Sequence, residues 1–254
     1  MSGAPAGRPA ALGPLVRLTA AGLVGRRRSI GVVLLAAAPV LVAAIIAIGG
    51  GLGDAATLAS DVFATITLGL VIPLAALVFG TAALGTAIDD GTIVYLLVKP
   101  IPRGTVVLAA MLVAGAATAL LAVAATLVAG LLLLGFTEPA LLAGMAAAAI
   151  LASLLYVVVF VTLSLFTSRA LLVGLGYVLL WEGLVTTLLA GSRILSIREY
   201  ATATMLAVAG TAANGGTPAS VEMPAALVLS LAVVAVAAML GVWRLGRFEV
   251  AEAG

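Results

Sequence analysis

The chain has 254 residues, of which 64% are hydrophobic and only 9% charged, where an ordinary soluble domain carries about 25% charged residues. It contains no cysteine and no histidine, which excludes thiolate metal sites, removes the commonest metal ligand and rules out any Ser-His-Asp or HExxH arrangement. The net charge of +2 says less than its distribution; the basic residues are eleven arginines and one lysine, a bias that, with so much Ala, Val, Leu and Gly, fits a GC-rich bacterial genome.

Apolar runs long enough to cross about 30 Å of hydrocarbon recur along the chain, with none of the alternating ten-residue pattern of a β-barrel. The expected fold is an all-α integral membrane protein of six transmembrane helices. Residues 1–28 form a tail, in which Pro14 to Gly25 has the spacing of a short amphipathic interfacial helix. The apolar run behind Arg26, Arg27 and Arg28 is longer than the core of a cleaved signal and reads as a retained first span. Within a transmembrane domain at 29–247, the spans are expected at about 30–48, 62–84, 106–134, 141–166, 171–190 and 225–242, and 248–254 is a second tail. Ser60 and Asp61 stand where they could cap the second span. Residues 191–221 are an external segment, apolar enough at its start to fold back on the membrane face as one or two short helices.

With a cytoplasmic N-terminus, ten basic residues fall on the inner side and only Arg193 and Arg198 on the outer, so both termini are expected in the cytoplasm. The chain lacks a P-loop, since its one lysine, Lys99, follows valine. Asp54, Asp61, Asp89 and Asp90 lie at or beyond span ends, so no pair of aspartates stands inside a span for catalysis. No enzyme activity, no metal site and no nucleic-acid partner is expected of this chain.

Glu182, beside Trp181 in "LLWEGLV", is the one ionisable side chain expected well inside a span, and such residues usually face a bundle interior or a cavity. It could line a pathway, meet a cationic cargo group or lock a gate; equally, it could be a protonated or hydrogen-bonded glutamate joining helices. A direct pair with Arg193 requires the chain to fold back after Ala190. Arg198 and Glu199 are expected on the outer face, where snorkelling is the simpler reading.

The stretch "DDGTIVYLLVKPIPRG" is too short to cross a bilayer and is fenced by charge. Asp90 or Thr92 can cap a helix there, Gly91 eases the bend, and Pro100 and Pro102 stop it. Ile93, Leu96 and Leu97 fall on one face of a short amphipathic helix at about 90–100. It could float on lipid or dock on a partner protein.

The longer segment "GTAALGTAIDDGTIVYLLVKPIPRGTVVLAAML" resembles the connection between the second and third spans in permease subunits of two-component bacterial ABC exporters. In that family an acidic pair leads into Gly-Thr, two leucines and Pro-x-x-Arg, matched here by Asp89, Asp90, Gly91, Thr92, Leu96, Leu97, Pro100 and Arg103; Pro102 departs from the commoner serine. The resemblance extends to the six-span layout and the external segment before the last span. It implies a cytoplasmic coupling helix that docks on a separate ATP-binding cassette ATPase, with ATP and Mg bound by that partner and no cofactor in this chain. Leu96 and Leu97 would fill the docking groove, with Asp89, Asp90 and Arg103 around its edge. It further implies a bacterial plasma-membrane homodimer, or a pairing with a related permease. Arg193 and Arg198 would belong to an exit lid. The motif says nothing about cargo. The competing expectations are a membrane anchor or assembly subunit that passes no cargo, and a proton-coupled secondary transporter using Glu182.

Overall fold

The computed structural model describes residues 26–50, 53–89, 103–210 and 219–246, and among them every regular element is helical. Helix α1 spans Arg26–Ile48, with Pro39 inside it. Helix α2 starts as Ala55–Val62, widens into a π-helical stretch at Phe63–Val71 and continues as Ile72–Asp89. Helices α3 (Arg103–Leu134) and α4 (Pro139–Phe166) follow. Helix α5 is built the same way as α2: Ala170–Gly176, a π-helical stretch at Tyr177–Val185, and Thr186–Leu188. A 3-10 turn at Ala190–Leu195 leads to α6 (Ile197–Ala209), and α7 (Met223–Gly246) closes the bundle.

Among the described residues, five helices are long and apolar enough to cross a membrane: Ile30–Ile48, Ala55–Leu84, Gly104–Leu134, Pro139–Phe166 and Met223–Leu245. The run expected as a fifth full span, 171–190, is instead a shorter apolar helix, Ala170–Val185. It ends because Leu189 turns extended (φ −113°, ψ 98°) and the chain reverses. The second span also begins earlier than 62. Asp54, not Ser60 or Asp61, caps it, accepting from the backbone N–H of Thr57 at 3.0 Å and from its hydroxyl at 2.9 Å. Ser60 is buried within the helix and Asp61 is exposed. Helices α3, α4 and α7 each begin two or three residues before the expected boundary, and α7 runs on through Arg244.

Helix α4 is the axis of the bundle. It packs against α2, α3, α6 and α7 and buries more of its span than any other helix. Small residues make this possible, because without a hydrophobic drive between helices in lipid, close backbone approach and dispersion must hold them together. Gly144 is the sharpest case: a Cβ there would lie 2.6 Å from the carbonyl oxygen of Met205 on α6. Helix α3 stops at Gly135, whose φ of 60° is open to glycine and whose N–H reaches back 2.9 Å to Leu131 O. By contrast, only 22% of the most apolar windows of α1 and α7 is buried, so both stand at the rim.

The two ends of the bundle differ in charge. At one end meet Arg26–Arg28 of α1, the last turn of α2, the start of α3, the α4–α5 turn with Arg169, and the end of α7. Contacts tie this end together. Arg244 Nε donates to Leu165 O at 3.2 Å, its guanidinium lies 5.8 Å from the Phe166 ring centre, and Gly104 is against Val242. Helices α2 and α3 pack side by side, so that α2 ends and α3 starts at this basic end.

Candidate functional site

A polar cluster lies between α4, α5 and α6. From Ala170, α5 climbs antiparallel to α4: Gly174 abuts Phe160, and the Tyr177 ring meets the Phe160 ring edge-on at 6.2 Å. Phe160 in turn stacks on Tyr156 at 6.1 Å. Tyr156 stands about 15 Å from the Phe166 end of α4, and Glu182 faces it from the π-helical stretch of α5. That stretch closes i→i+5 bonds, as in Thr186 N–H to Trp181 O. The wider turn is a form that concentrates at functional sites.

Glu182 is buried, and its two carboxylate oxygens are used separately. Oε2 accepts the Ser196 hydroxyl at 2.6 Å. Oε1 accepts the Ile197 backbone N–H at 3.0 Å and the Tyr177 hydroxyl at 3.4 Å. Ser196 is the residue before the first turn of α6 and makes no capping bond of its own. Glu182 therefore caps α6 from another helix, its carboxyl accepting an N–H that the start of the helix leaves open. The Tyr156 hydroxyl, fully buried, is turned towards the same carboxyl but completes no hydrogen bond.

The reversal that makes this possible is itself fully bonded. Ser192 Oγ donates towards Leu189 O at 2.7 Å and lies 3.2 Å from Val185 O, and Arg193 Nε donates to Thr186 O at 3.2 Å. The Tyr200 hydroxyl donates to Ile194 O. These groups satisfy carbonyls that the broken end of α5 leaves open. From the level of Glu182, α6 runs out along α4 until Met205 and Ala209 reach Gly144.

The expected site residues separate into two sets. Glu182, Trp181, Arg193, Arg198 and Glu199 are brought together around the reversal. The chain does fold back after Ala190, yet the partners of Glu182 are Ser196 and Ile197, while Arg193 serves Thr186 O. Of the two residues expected on the outer face, Glu199 accepts the Ser220 N–H at 2.9 Å. The Arg198 guanidinium rests against Gly69 in the π-helical stretch of α2. In the other set, Asp89 ends α2 and Arg103 starts α3, whereas Asp90, Gly91, Thr92, Ile93, Leu96, Leu97 and Pro100 lie outside the described residues.

Sequence reading missed Tyr156, Tyr177, Ser196 and Tyr200. A signal existed: the chain has four tyrosines, and three of them meet here. Among the described residues no group of three or more acidic, Cys or His side chains gathers as for a metal ion. What the arrangement can do chemically is clamp a broken helix pair and present hydrogen-bond donors to an anion. A comparison with models of known protein families finds no match, and a comparison with curated proteins finds none either.

Proposed function

We propose that this chain is the membrane half of an ATP-driven transporter of the ABC exporter type, moving an amphipathic or hydrophobic cargo across a bacterial plasma membrane. The observation that carries the reading is that α2 ends and α3 starts side by side at the basic end of the bundle, where Arg169 and Arg244 also lie. A basic end is the cytoplasmic end by the positive-inside rule, and there a motor subunit would meet the amphipathic segment bearing Leu96 and Leu97.

On this reading α5 and α6 together make one broken crossing, so that with the five long helices the chain crosses six times and both termini are cytoplasmic. Broken helices with polar interiors are the usual form of a crossing that lines a transport route. Closure of an ATPase pair, each holding ATP and Mg, would push through Asp89 and Arg103 into α2 and α3, and α2 carries its π-helical stretch to Arg198. Two copies of the chain, or one with a related permease, would surround the route.

Affinity capture of the tagged chain from its native membrane tests this. The expected co-purifying protein is a soluble subunit with Walker motifs in about equal amount. Capture of a different complex, without such a subunit, would favour the anchor reading and end this one.

A further inference from the structure

Arg198 brings a positive charge to a place that gives it no partner. Its guanidinium rests against Gly69 on α2, and Gly69 lies fourteen residues after Ala55 and fifteen before Leu84, at the middle of that apolar span. An ionised side chain at such a level is costly unless it meets a partner or a polar route. Two other arginines of the bundle serve helix carbonyls: Arg193 Nε donates to Thr186 O and Arg244 Nε to Leu165 O. Among the described residues, the Arg198 guanidinium has neither a hydrogen bond nor an ion pair, although it carries five N–H donors. Asp61, eight residues before Gly69 on the same helix, is exposed and makes no ion pair with it. A second free donor stands on the same face. Thr81, Thr118, Thr126 and Thr162, in regular α-helix, each give their hydroxyl to the carbonyl four residues back. Thr65 lies in the π-helical stretch, where backbone bonds close over five residues, and among the described residues its hydroxyl makes no hydrogen bond. It precedes Gly69 by close to one π-helical turn, so it shares the face on which Arg198 rests, and it is exposed. Leu70, next after Gly69, is exposed too, so apolar surface borders the two donors.

We propose that Arg198 and Thr65 form a binding site for the oxyanion head group of an amphiphile, either a phospholipid or an anionic cargo. A guanidinium fork holds two oxygens of a phosphate or carboxylate at once, and the threonine hydroxyl supplies one further donor. The unmet charge selects an anion. The level of the site within an apolar span, and its apolar border, select an anion that carries an acyl chain. A bound head group adds a polar link between the first turn of α6 and the π-helical stretch of α2. The inference goes beyond the transport reading, because a resident lipid and a cargo meet the same donors and neither needs the motor.

Native mass spectrometry of the full chain in neutral detergent tests this. Titrated dioctanoyl phosphatidylglycerol is expected to give a saturable first adduct, and dioctanoylglycerol, which lacks the phosphate, is not. Arg198→Gln should weaken that adduct about tenfold or more, the loss of a charge-assisted hydrogen bond, while Arg169→Gln, an exposed arginine at the basic end, should leave it unchanged. Thr65→Val, an exposed substitution that keeps the side chain's shape, should weaken it about threefold and decides the matter if Arg198→Gln does not fold. Equal adducts in wild type and both site variants, or equal binding of the phosphate-free lipid, would overturn the proposal. The source of the head group is read from the same spectra. A phospholipid already bound to chain taken from its membrane, and absent from Arg198→Gln, identifies a resident lipid; a bare chain that binds the titrated probe identifies a site for cargo. Binding without capture of an ATPase would sink only the transport reading, and capture without binding would sink only this one.

Discussion

The Ser196 hydroxyl donates a hydrogen bond to Glu182 at 2.6 Å, fourteen residues back along the chain and across the reversal at Ala190–Leu195. The bond joins the widened part of α5 to the start of α6, and no other feature so directly converts an apolar run into two elements. Ser196→Ala is expected to lower stability by about 1–3 kcal/mol, the cost of leaving a buried acceptor without its partner. In a Glu182→Ala background the same change should cost much less, because the acceptor is already gone. A double-mutant cycle on unfolding midpoints in detergent measures the coupling, and additive costs would contradict the clamp.

Thr162 ties α4 to α7. Its Oγ1 lies 2.8 Å from Val158 O on its own helix and 3.0 Å from Ala237 O on the neighbour. Interhelical bonds of this kind in membrane proteins contribute about 0.6 kcal/mol on average and at most about 1.7. Thr162→Val, which keeps the shape and removes the hydroxyl, should destabilise the bundle within that range. A larger loss would show that α7 depends on this contact more than its exposed position implies.

Gly144 marks the closest approach of α4 and α6. A Cβ would meet Met205 O at 2.6 Å and the Ala209 side chain at 3.0 Å, and a backbone atom cannot step aside as a side chain can. Gly144→Val should therefore cost about 1–3 kcal/mol by overpacking and push α6 away from α4. Enhanced cleavage or labelling of a cysteine placed at Val208, an exposed position on α6, would report the displacement; Gly176→Ala, where a Cβ meets nothing within 4 Å, serves as the control.

Asp54 gives the chain a pH dependence at the start of α2. The Thr57 backbone N–H, followed by the Thr57 hydroxyl, holds its carboxyl below the ordinary value of 3.8. A carboxyl depressed on folding stabilises the fold above its unfolded value, and that contribution is lost as pH falls through the lower folded value. Amide exchange at Thr57 and Leu58 should therefore accelerate only at acid pH below the usual carboxylate range. Asp54→Asn, which keeps a capping oxygen without charge, should remove the pH dependence and keep most of the protection.

Five helices were legible because a long apolar run with polar ends leaves the backbone no alternative in hydrocarbon. Their starts were less so. Asp54 was passed over for Ser60 and Asp61 because Ala55 to Leu58 looks like linker until Asp54 and Thr57 are seen to bond each other. The broken crossing was hidden for a deeper reason. Hydropathy sums side chains and cannot see that Leu189 is extended or that Ser192 and Arg193 take over the freed carbonyls. Glu182 was visible as an oddity, and one of its two readings, a hydrogen-bonded glutamate joining helices, describes its bonds; its partners were invisible, since Ser196 and a backbone N–H carry no long-range signal. The contact of Arg198 with Gly69 was invisible too, because it exists only once α6 begins beside Glu182 and its first turn is carried in against α2.

The most direct measurement of the motor-docking claim is capture of the ATPase subunit by full-length chain carrying Leu96→Asp and Leu97→Asp. The account predicts that wild-type chain retains the subunit through detergent washes, and that the double variant, inserted in the membrane at normal levels, loses nearly all of it. Equal retention by both would contradict the role given to residues 90–102 and, with it, the proposal that an external motor drives this protein through the helices α2 and α3.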